Sequence, residues 1–305
     1  MRILIILLAA VAILVLLAAW FLAGFIMTGK RQTIDEAMKW QSDHYDTSFY
    51  QDLEKTDYTV EGEGGYILHA QFLKNPVPSD RYIIISHGYT DNHIGSLKYA
   101  GMYLEMGFNC ILYDLRGHGQ NESAVTTYGI LEGQDLANLV RDSQERYPDL
   151  KILGLHGESL GAASTISALR YKPDVDFVVA DCGFSDIENV LRGTYQYAHV
   201  PGFIFDLANL GAILRYHYAL SDMRPIDALD ANTIPVLFIH GEEDTFILPK
   251  NSQDMYERTG GERTIFIMPG AGHAESVLTN PMKYREVVEG FVRGVSGTTL
   301  LKKDE

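Results

Sequence analysis

Cysteine is nearly missing from this 305-residue chain, which carries only Cys110 and Cys182. Two thiols exclude a disulfide-stapled scaffold and a cysteine-rich zinc site. Each falls at or beside the end of an apolar run, where cysteine usually serves as a small buried hydrophobe. Neither is assigned a role, and no redox compartment follows from them. Positive charge is also short: Lys and Arg number 25 against 40 Asp and Glu, leaving a net charge of −15. With no basic stripe, a nucleic-acid partner is excluded, and the acidity reads as solubility. Internal repeats and low-complexity tracts are missing too. What remains is 46% hydrophobic. With the N-terminal run set aside, about 270 residues are enough for one large α/β domain.

That N-terminal run is Ile3 to Met27, which has no charged residue. It matches the ~20 apolar residues needed to cross a bilayer core. A cleavable signal peptide has a shorter apolar stretch, about 7–15 residues, closed by an Ala-x-Ala-like site, and neither condition is met well. A buried core helix is a third reading. Trp20 and Phe25, followed by Lys30 and Arg31, read as interfacial anchors. Residues 1–30 are therefore expected to be a retained single-pass membrane anchor. Arg2 and the amino terminus stand against Lys30, Arg31 and Lys39. That one-charge difference leans towards a cytoplasmic domain without settling the side.

Residues 31–56 read as a juxtamembrane helix or linker. Tyr58 to Phe72 has the alternation of a hairpin around Gly62-Glu63-Gly64-Gly65. Short, continuously apolar runs then recur at Tyr82–Ile85, Cys110–Tyr113, Ile152–Leu155, Phe177–Ala180, Val236–Ile239 and Thr264–Ile267. Continuous rather than alternating hydrophobicity marks parallel strands buried on both faces. Helical periodicity fills the gaps at Ser96–Met106, Gly133–Arg146, Leu160–Tyr171, Ser252–Thr259 and Met282–Val292. The fold class is α/β: a mostly parallel sheet with helices on both faces, spanning residues 57–295 and ending in a frayed polar tail at 296–305. Residues 185–231 interrupt the alternation and carry Tyr195, Tyr197, Phe203, Phe205, Tyr216 and Tyr218. They are expected to form a small helical cap. Its aromatics either line an acyl pocket or pack inward as ordinary core.

The chemistry centres on Gly157-Glu158-Ser159-Leu160-Gly161, set between a strand and a helix. A turn this tight forces a strained backbone on the serine and holds its hydroxyl proud of the sheet. The glycines leave room for strand and helix to pass. A serine hydroxyl needs a histidine, itself oriented by a carboxylate, to become nucleophilic. In the chain order Ser, Asp, His, Asp244 follows Val236–Ile239 and His273 follows Thr264–Ile267. Ser159 is the expected nucleophile, His273 the general base then acid, and Asp244 the group that fixes the imidazole tautomer. Asp181, at the end of the preceding strand, is the alternative carboxylate; Glu242 and Glu243 share the Asp244 loop. The oxyanion donors are expected to be the backbone N–H groups of Tyr89, after His87-Gly88, and of Leu160. The Tyr89 side chain is then expected to matter mainly for substrate fit.

His87-Gly88-Tyr89, Asp114-Leu115-Arg116-Gly117-His118-Gly119, the Ser159 motif, His240-Gly241-Glu242-Glu243-Asp244 and Gly270-Ala271-Gly272-His273 together resemble the α/β-hydrolase superfamily. Within it they resemble the bacterial serine aminopeptidase-like hydrolases, as does Tyr128-Gly129 followed by Glu132 and Asp135-Leu136. The resemblance implies the α/β-hydrolase fold, a Ser-His-Asp triad, no cofactor and no metal, with the Arg116–Gly119 loop structural. It leaves the substrate open among esters, thioesters, lipids and peptides. The anchor and aromatic cap fit acyl esters, lipid-derived ones presented at a membrane surface among them, which makes a carboxylesterase-like serine hydrolase the first expectation. A peptidase with the same triad is the alternative. It would need acidic residues to hold a free amine, and Asp186 and Glu188 would have to supply them. A non-catalytic binding protein is a third reading.

Overall fold

The structure, a computed structural model, describes residues 1–303. The chain opens with α1 (Arg2–Met27), α2 (Ile34–His44) and α3 (Phe49–Asp52), then forms the hairpin β1 (Lys55–Glu61) and β2 (Ile67–Leu73). The alternating part follows as β3 (Arg81–Ser86), α4 (Leu97–Glu105), β4 (Asn109–Tyr113), α5 (Ile130–Arg146), β5 (Ile152–Glu158), α6 (Leu160–Ala168) and β6 (Phe177–Asp181). After α7 (Ile187–Tyr197) and α8 (Phe203–Tyr216), it resumes as β7 (Val236–Gly241), α9 (Lys250–Arg258), β8 (Arg263–Met268), α10 (Ser276–Thr279) and α11 (Pro281–Lys303).

Eight strands form one sheet in the order β1-β2-β4-β3-β5-β6-β7-β8. β1–β2 and β2–β4 are antiparallel, and every later pairing is parallel. The apolar runs fill the two faces. Ile84, Leu155, Val178 and Phe238 pack one core cluster, while Ile83, Ile85, Val179, Leu237 and Ile239 pack the other. Alternate side chains of a strand point to opposite faces, so a run apolar at every position serves two cores at once.

Strand order reverses at β3: the chain moves from β3 outward to β4, then returns to place β5 on the other side. Ligands in open α/β sheets gather at such a reversal, beyond the carboxyl ends of the strands. Ser86, the last residue of β3, pairs with Gly157 of β5. Gly241 of β7 pairs with Met268 of β8. The loops carrying Tyr89, Ser159, Asp244 and His273 thus leave one rim.

One expectation changes, and one open alternative closes. The backbone stays helical through Lys303, past Ser296, where a frayed tail is expected. No proline interrupts that stretch, and Gly297 costs a helix only about 1 kcal/mol relative to alanine. Residues 304–305 of the expected tail lie outside the described residues. The cap aromatics, secondly, do not line the pocket described below. Phe205 is buried in the core, Tyr195 packs against it, and Tyr197 and Phe203 face outward.

α1 is long and apolar enough to cross a membrane. Its first residues stand clear of the rest of the chain, whereas Ala19, Ala23, Gly24, Ile26 and Met27 are buried against it. The contact is with α8. A Cβ built on Gly211 would come within 1.9 Å of the Ala19 carbonyl oxygen and 3.1 Å of Ala23 Cβ. Only small residues at this crossing let the two backbones approach so closely.

Candidate active site

β5 ends in Glu158, and α6 begins at Leu160, so Ser159 must make the whole turn. Its φ of 53° and ψ of −111° lie outside the regions open to ordinary L-residues. Sterics hold it there. A Cβ on Gly157 would meet the Gly161 carbonyl oxygen at 2.2 Å, and one on Gly161 would meet the Ser86 carbonyl oxygen at 2.1 Å. The strain presents Oγ to the rim, 3.0 Å from His273 Nε2. On the far side of that ring, Nδ1–H donates to Asp244 Oδ2 at 2.7 Å. This direction fixes the tautomer: Nε2 is left as the acceptor for the serine proton. The three side chains proposed from sequence are joined in one hydrogen-bonded series.

Asp244 is held on every side. Its Oδ1 accepts from the Phe246 and Ile247 N–H groups at 2.9 and 2.8 Å, and His240 Nε2 lies 3.2 Å from Oδ2. Burial alone would raise its pKa, but the His240 and His273 hydrogen bonds, with the Ile247 N–H, hold it well below the usual carboxylate range. It stays an anion at any working pH. Phe246 stacks edge-on against the His273 ring, with centroids 5.1 Å apart. Glu242 and Glu243, on the same loop, are exposed.

Asp181 occupies a different environment. It lies beneath the rim, fully buried, where it accepts from the Tyr99 hydroxyl at 3.2 Å. Burial, and then the nearby Glu158 charge, raise its pKa to about 6. Glu158 in turn accepts from Tyr99 Oη at 2.6 Å and pairs with the buried Lys98 ammonium. With Tyr103, His156 and Tyr284 (2.9 Å from Tyr103 Oη to His156 Nδ1) this is a buried polar platform below the nucleophile turn. Sequence reasoning missed it. The pertinent signal was Lys98, a lone charge on the α4 face that turns inward.

The remaining motifs are structural. Arg116 pairs with Asp135 through Nε and Nη2, at 2.9 and 2.6 Å. Asp114 binds His93, and Glu132 accepts from Thr127 and the Gly129 N–H. Asp186 caps α7 through the Asn189 N–H at 2.7 Å, and Glu188 pairs with Arg192. Cys110 and Cys182 are both free and buried, and burial pushes both thiols up.

The rim opens on a cavity of about 320 Å³ lined by Tyr89, Tyr128, Phe184, Ile187, Val190 and Leu191, with Ser159 and His273 at its base. Tyr89 and Leu160, the expected oxyanion donors, both border it. The side chain of Tyr89 serves an end that sequence did not reveal. Its hydroxyl donates to the Ile26 carbonyl at 2.9 Å and accepts from the Gly29 N–H at 2.9 Å. Tyr128, stacked on it with centroids 5.7 Å apart, donates to the same Ile26 carbonyl at 2.6 Å. Gln32 N–H to Thr90 O and Thr126 N–H to Met27 O complete the seam. Besides lining the cavity, where the expectation of a role in substrate fit places it, Tyr89 ties its loop to the end of α1 through its hydroxyl.

A strained serine at a strand-to-helix turn, hydrogen-bonded to a histidine beside an apolar cavity, is the arrangement of a serine hydrolase on an α/β sheet. Known proteins agree. A family model described as serine aminopeptidase, S33, matches residues 78–200, and one described as serine hydrolase (FSH1) matches residues 151–274. The uncharacterised protein YqkD of Bacillus subtilis is 30% identical over 88% of this chain and 90% of its own length. An uncharacterised membrane protein of Saccharomyces cerevisiae, YNL320W, is 23% identical over 62% of each chain. The solved esterase Pf2001 of Pyrococcus furiosus superposes with a TM-score of 0.66 at 23% identity, covering 82% of this chain and 96% of that one. The chain belongs to the α/β-hydrolase superfamily and, by its family matches, to the serine hydrolases within it.

Proposed function

We propose that this chain is a membrane-anchored hydrolase of carboxylic esters that works through an acyl-enzyme on Ser159. The observation that carries the reading is the hydrogen-bonded series Ser159–His273–Asp244 at the base of an apolar cavity. As Ser159 Oγ attacks the ester carbonyl, its proton passes to His273 Nε2. The ionised Asp244 steadies the imidazolium that forms. Charge developing on the carbonyl oxygen is met by the backbone N–H groups of Tyr89 and Leu160, the latter at the positive end of α6. The intermediate collapses, the alcohol leaves with the His273 proton, and water repeats the sequence to release the acid. Neither a metal nor a cofactor enters any step. In this reading residues 1–30 are the anchor, 31–56 the juxtamembrane linker, 57–295 the catalytic domain and 185–231 its cap.

An ester is favoured over a peptide by what the acidic residues are already doing. A free amine needs an uncommitted carboxylate. Glu158 is taken by Lys98 and Tyr99, while Asp186 and Glu188 cap and brace α7. Asp91, also on the cavity wall, is raised to about 6 by burial, and its Oδ1 is already engaged by the Asn92 N–H at 2.9 Å. The aminopeptidase reading rests on the family model's description. A fluorophosphonate probe should label the wild type and not Ser159→Ala, and p-nitrophenyl butyrate should be turned over far faster than alanyl- or prolyl-p-nitroanilide. Preference for the anilides would replace esterase by peptidase. Absence of both labelling and turnover would leave a binding protein.

A further inference from the structure

The free part of α1 is too short to cross a bilayer by itself. From Ile3 to Ala18 it makes no buried contact, which at 1.5 Å per residue is about 24 Å. The hydrocarbon core is ~30 Å thick and needs about 20 residues. An α1 that spans must therefore sink to about Leu22, past the residues where α8 packs on it. α8 cannot stay in bulk water if α1 is in the membrane.

The chemistry of α8 at that level suits a lipid boundary. Gly211 lies against Ala19 and Ala23. Arg215 donates to the Trp20 carbonyl at 3.1 Å and sits over the Trp20 ring at 5.0 Å, with Tyr216 beside it. Trp, Tyr and Arg together mark the headgroup depth of membrane helices. On the outer side of the same helix, Leu210, Ile213 and Leu214 are exposed at 40%, 44% and 48%, with Phe203 three turns back at 62%.

We propose that α8 lies in the membrane interface, its Leu210–Ile213–Leu214 face among the acyl chains, so that the cavity draws amphiphilic long-chain acyl esters from the bilayer itself. The substrate part of this inference rests on the esterase reading above; the placement of α8 does not. Tyr89 and Tyr128, two walls of the cavity, bind the Ile26 carbonyl, about 9 Å along α1 from Trp20. The cavity thus begins just above the headgroups, where the ester of a partly withdrawn acyl chain would sit. The aliphatic face of α7 at Ile187, Val190 and Leu191 provides the apolar wall for that chain.

The test uses the full chain in phosphatidylcholine nanodiscs. A fluorophore is attached at Ile213→Cys, at Leu214→Cys, or at the exposed control Glu257→Cys on α9; both native cysteines are buried. A lipid carrying a nitroxide near its headgroup should quench the two α8 labels at least threefold more than the control. Equal quenching would overturn the placement, and so would disulfide cross-linking of two copies through the unlabelled Ile213→Cys thiol, which would assign the face to a second copy. For the substrate, Ile213→Asn/Leu214→Asn should lower kcat/KM at least tenfold for p-nitrophenyl palmitate in vesicles. It should leave p-nitrophenyl butyrate in solution within twofold. An unchanged vesicle rate would overturn supply from the bilayer. If the wild type turns over neither ester while the α8 labels are quenched, the esterase reading fails and the membrane placement stands.

Discussion

Two aspartates near the same rim have opposite electrostatics, and that difference predicts opposite behaviour. Asp244 is an anion fixed by donors from His273, His240 and two backbone N–H groups. Asp244→Asn should lower kcat by about 10⁴, because an amide that donates towards Nδ1 stabilises the wrong tautomer. Asp181→Asn should keep kcat within a few-fold, since Asp181 is held by Tyr99 in the buried platform; a larger loss there would transfer the role. Its effect on stability has a defined sign. The folded pKa, about 6, lies above the ~3.9 of an unfolded chain, so between those values the folded state holds more protons. Ionised Asp181 thus costs stability above pH 6, and that cost vanishes below about pH 4. Asp181→Asn should melt higher than wild type at pH 8, and the gap should close by pH 4. A gap independent of pH would refute the burial argument. The Ser, Asp and His positions were legible because each follows an apolar run in a fixed order. The committed state of each carboxylate was not, because donors such as Ile247 N–H and Tyr99 come from backbone geometry and from a distant helix. Tyr89 makes the same point. His87-Gly88 led to the proposal of its N–H as an oxyanion donor, yet its hydroxyl binds residues 26 and 29, which no local pattern reveals. Tyr89→Phe, which keeps the ring and removes both bonds, should slow fluorophosphonate labelling about 3- to 10-fold with little change in KM for butyrate. An unaltered labelling rate would mean that the seam does not position the loop.

Elements were read more readily than their contacts. The central strands run apolar at every position because both faces are covered, and α4, α5, α6, α9 and α11 were visible from 3.6-residue periodicity. Helix α6 was placed by its first turn, whose glycines have a steric reason that the structure quantifies. Gly161→Ala would push a Cβ to 2.1 Å from the Ser86 carbonyl oxygen, with backbone on both sides of the clash. Overpacking of this kind costs about 1–3 kcal/mol, and here it also displaces the end of β3, which leads into the Tyr89 loop, from α6, which begins at Leu160. The variant should lose several degrees of melting temperature and label slowly even where it is fully folded. A folded variant that labels at the wild-type rate would show that the turn tolerates spreading. Where periodicity was mixed, the reading was weaker. In residues 185–231 the aromatics left pocket lining and core packing both open, and the cavity is lined by Ile187, Val190 and Leu191 of α7 and by Phe184. The reason is that α8 has two apolar faces, one against the body through Phe205, Ala208 and Ala212 and one exposed. A helix apolar on both sides offers no phase by which to tell inside from outside.

At the scale of the molecule, α1 is both a helix long and apolar enough to cross a membrane and a part of the folded domain, and the two characters divide along its length. Up to Ala18 none of its residues is buried, whereas from Ala19 to Met27 it packs on α8 and ends in hydrogen bonds to Tyr89, Tyr128 and Thr126. A simple tether would be exchangeable throughout. A helix whose last turns are built into the rim would be exchangeable only in its free part. Two chimaeras separate these cases. Replacing residues 3–18 with an unrelated apolar sequence of equal length should preserve labelling of Ser159 within twofold and leave the melting temperature unchanged. Replacing 19–27 in the same way, with bulky residues at 19 and 23, should do neither. Leucine at those two positions has no room against Gly211, so α1 must lift from α8, and the Ile26 carbonyl leaves the two tyrosine hydroxyls. Each lost bond is worth about 0.5–1.5 kcal/mol. The expected result is a folded but less stable protein that labels roughly tenfold more slowly, with a cap helix newly open to proteolysis near residues 203–216. Equal rates in the two chimaeras would reduce α1 to a tether. A slow second chimaera restored by Gly211→Ser, which adds bulk at the same crossing, would show that the close approach is not what holds the rim.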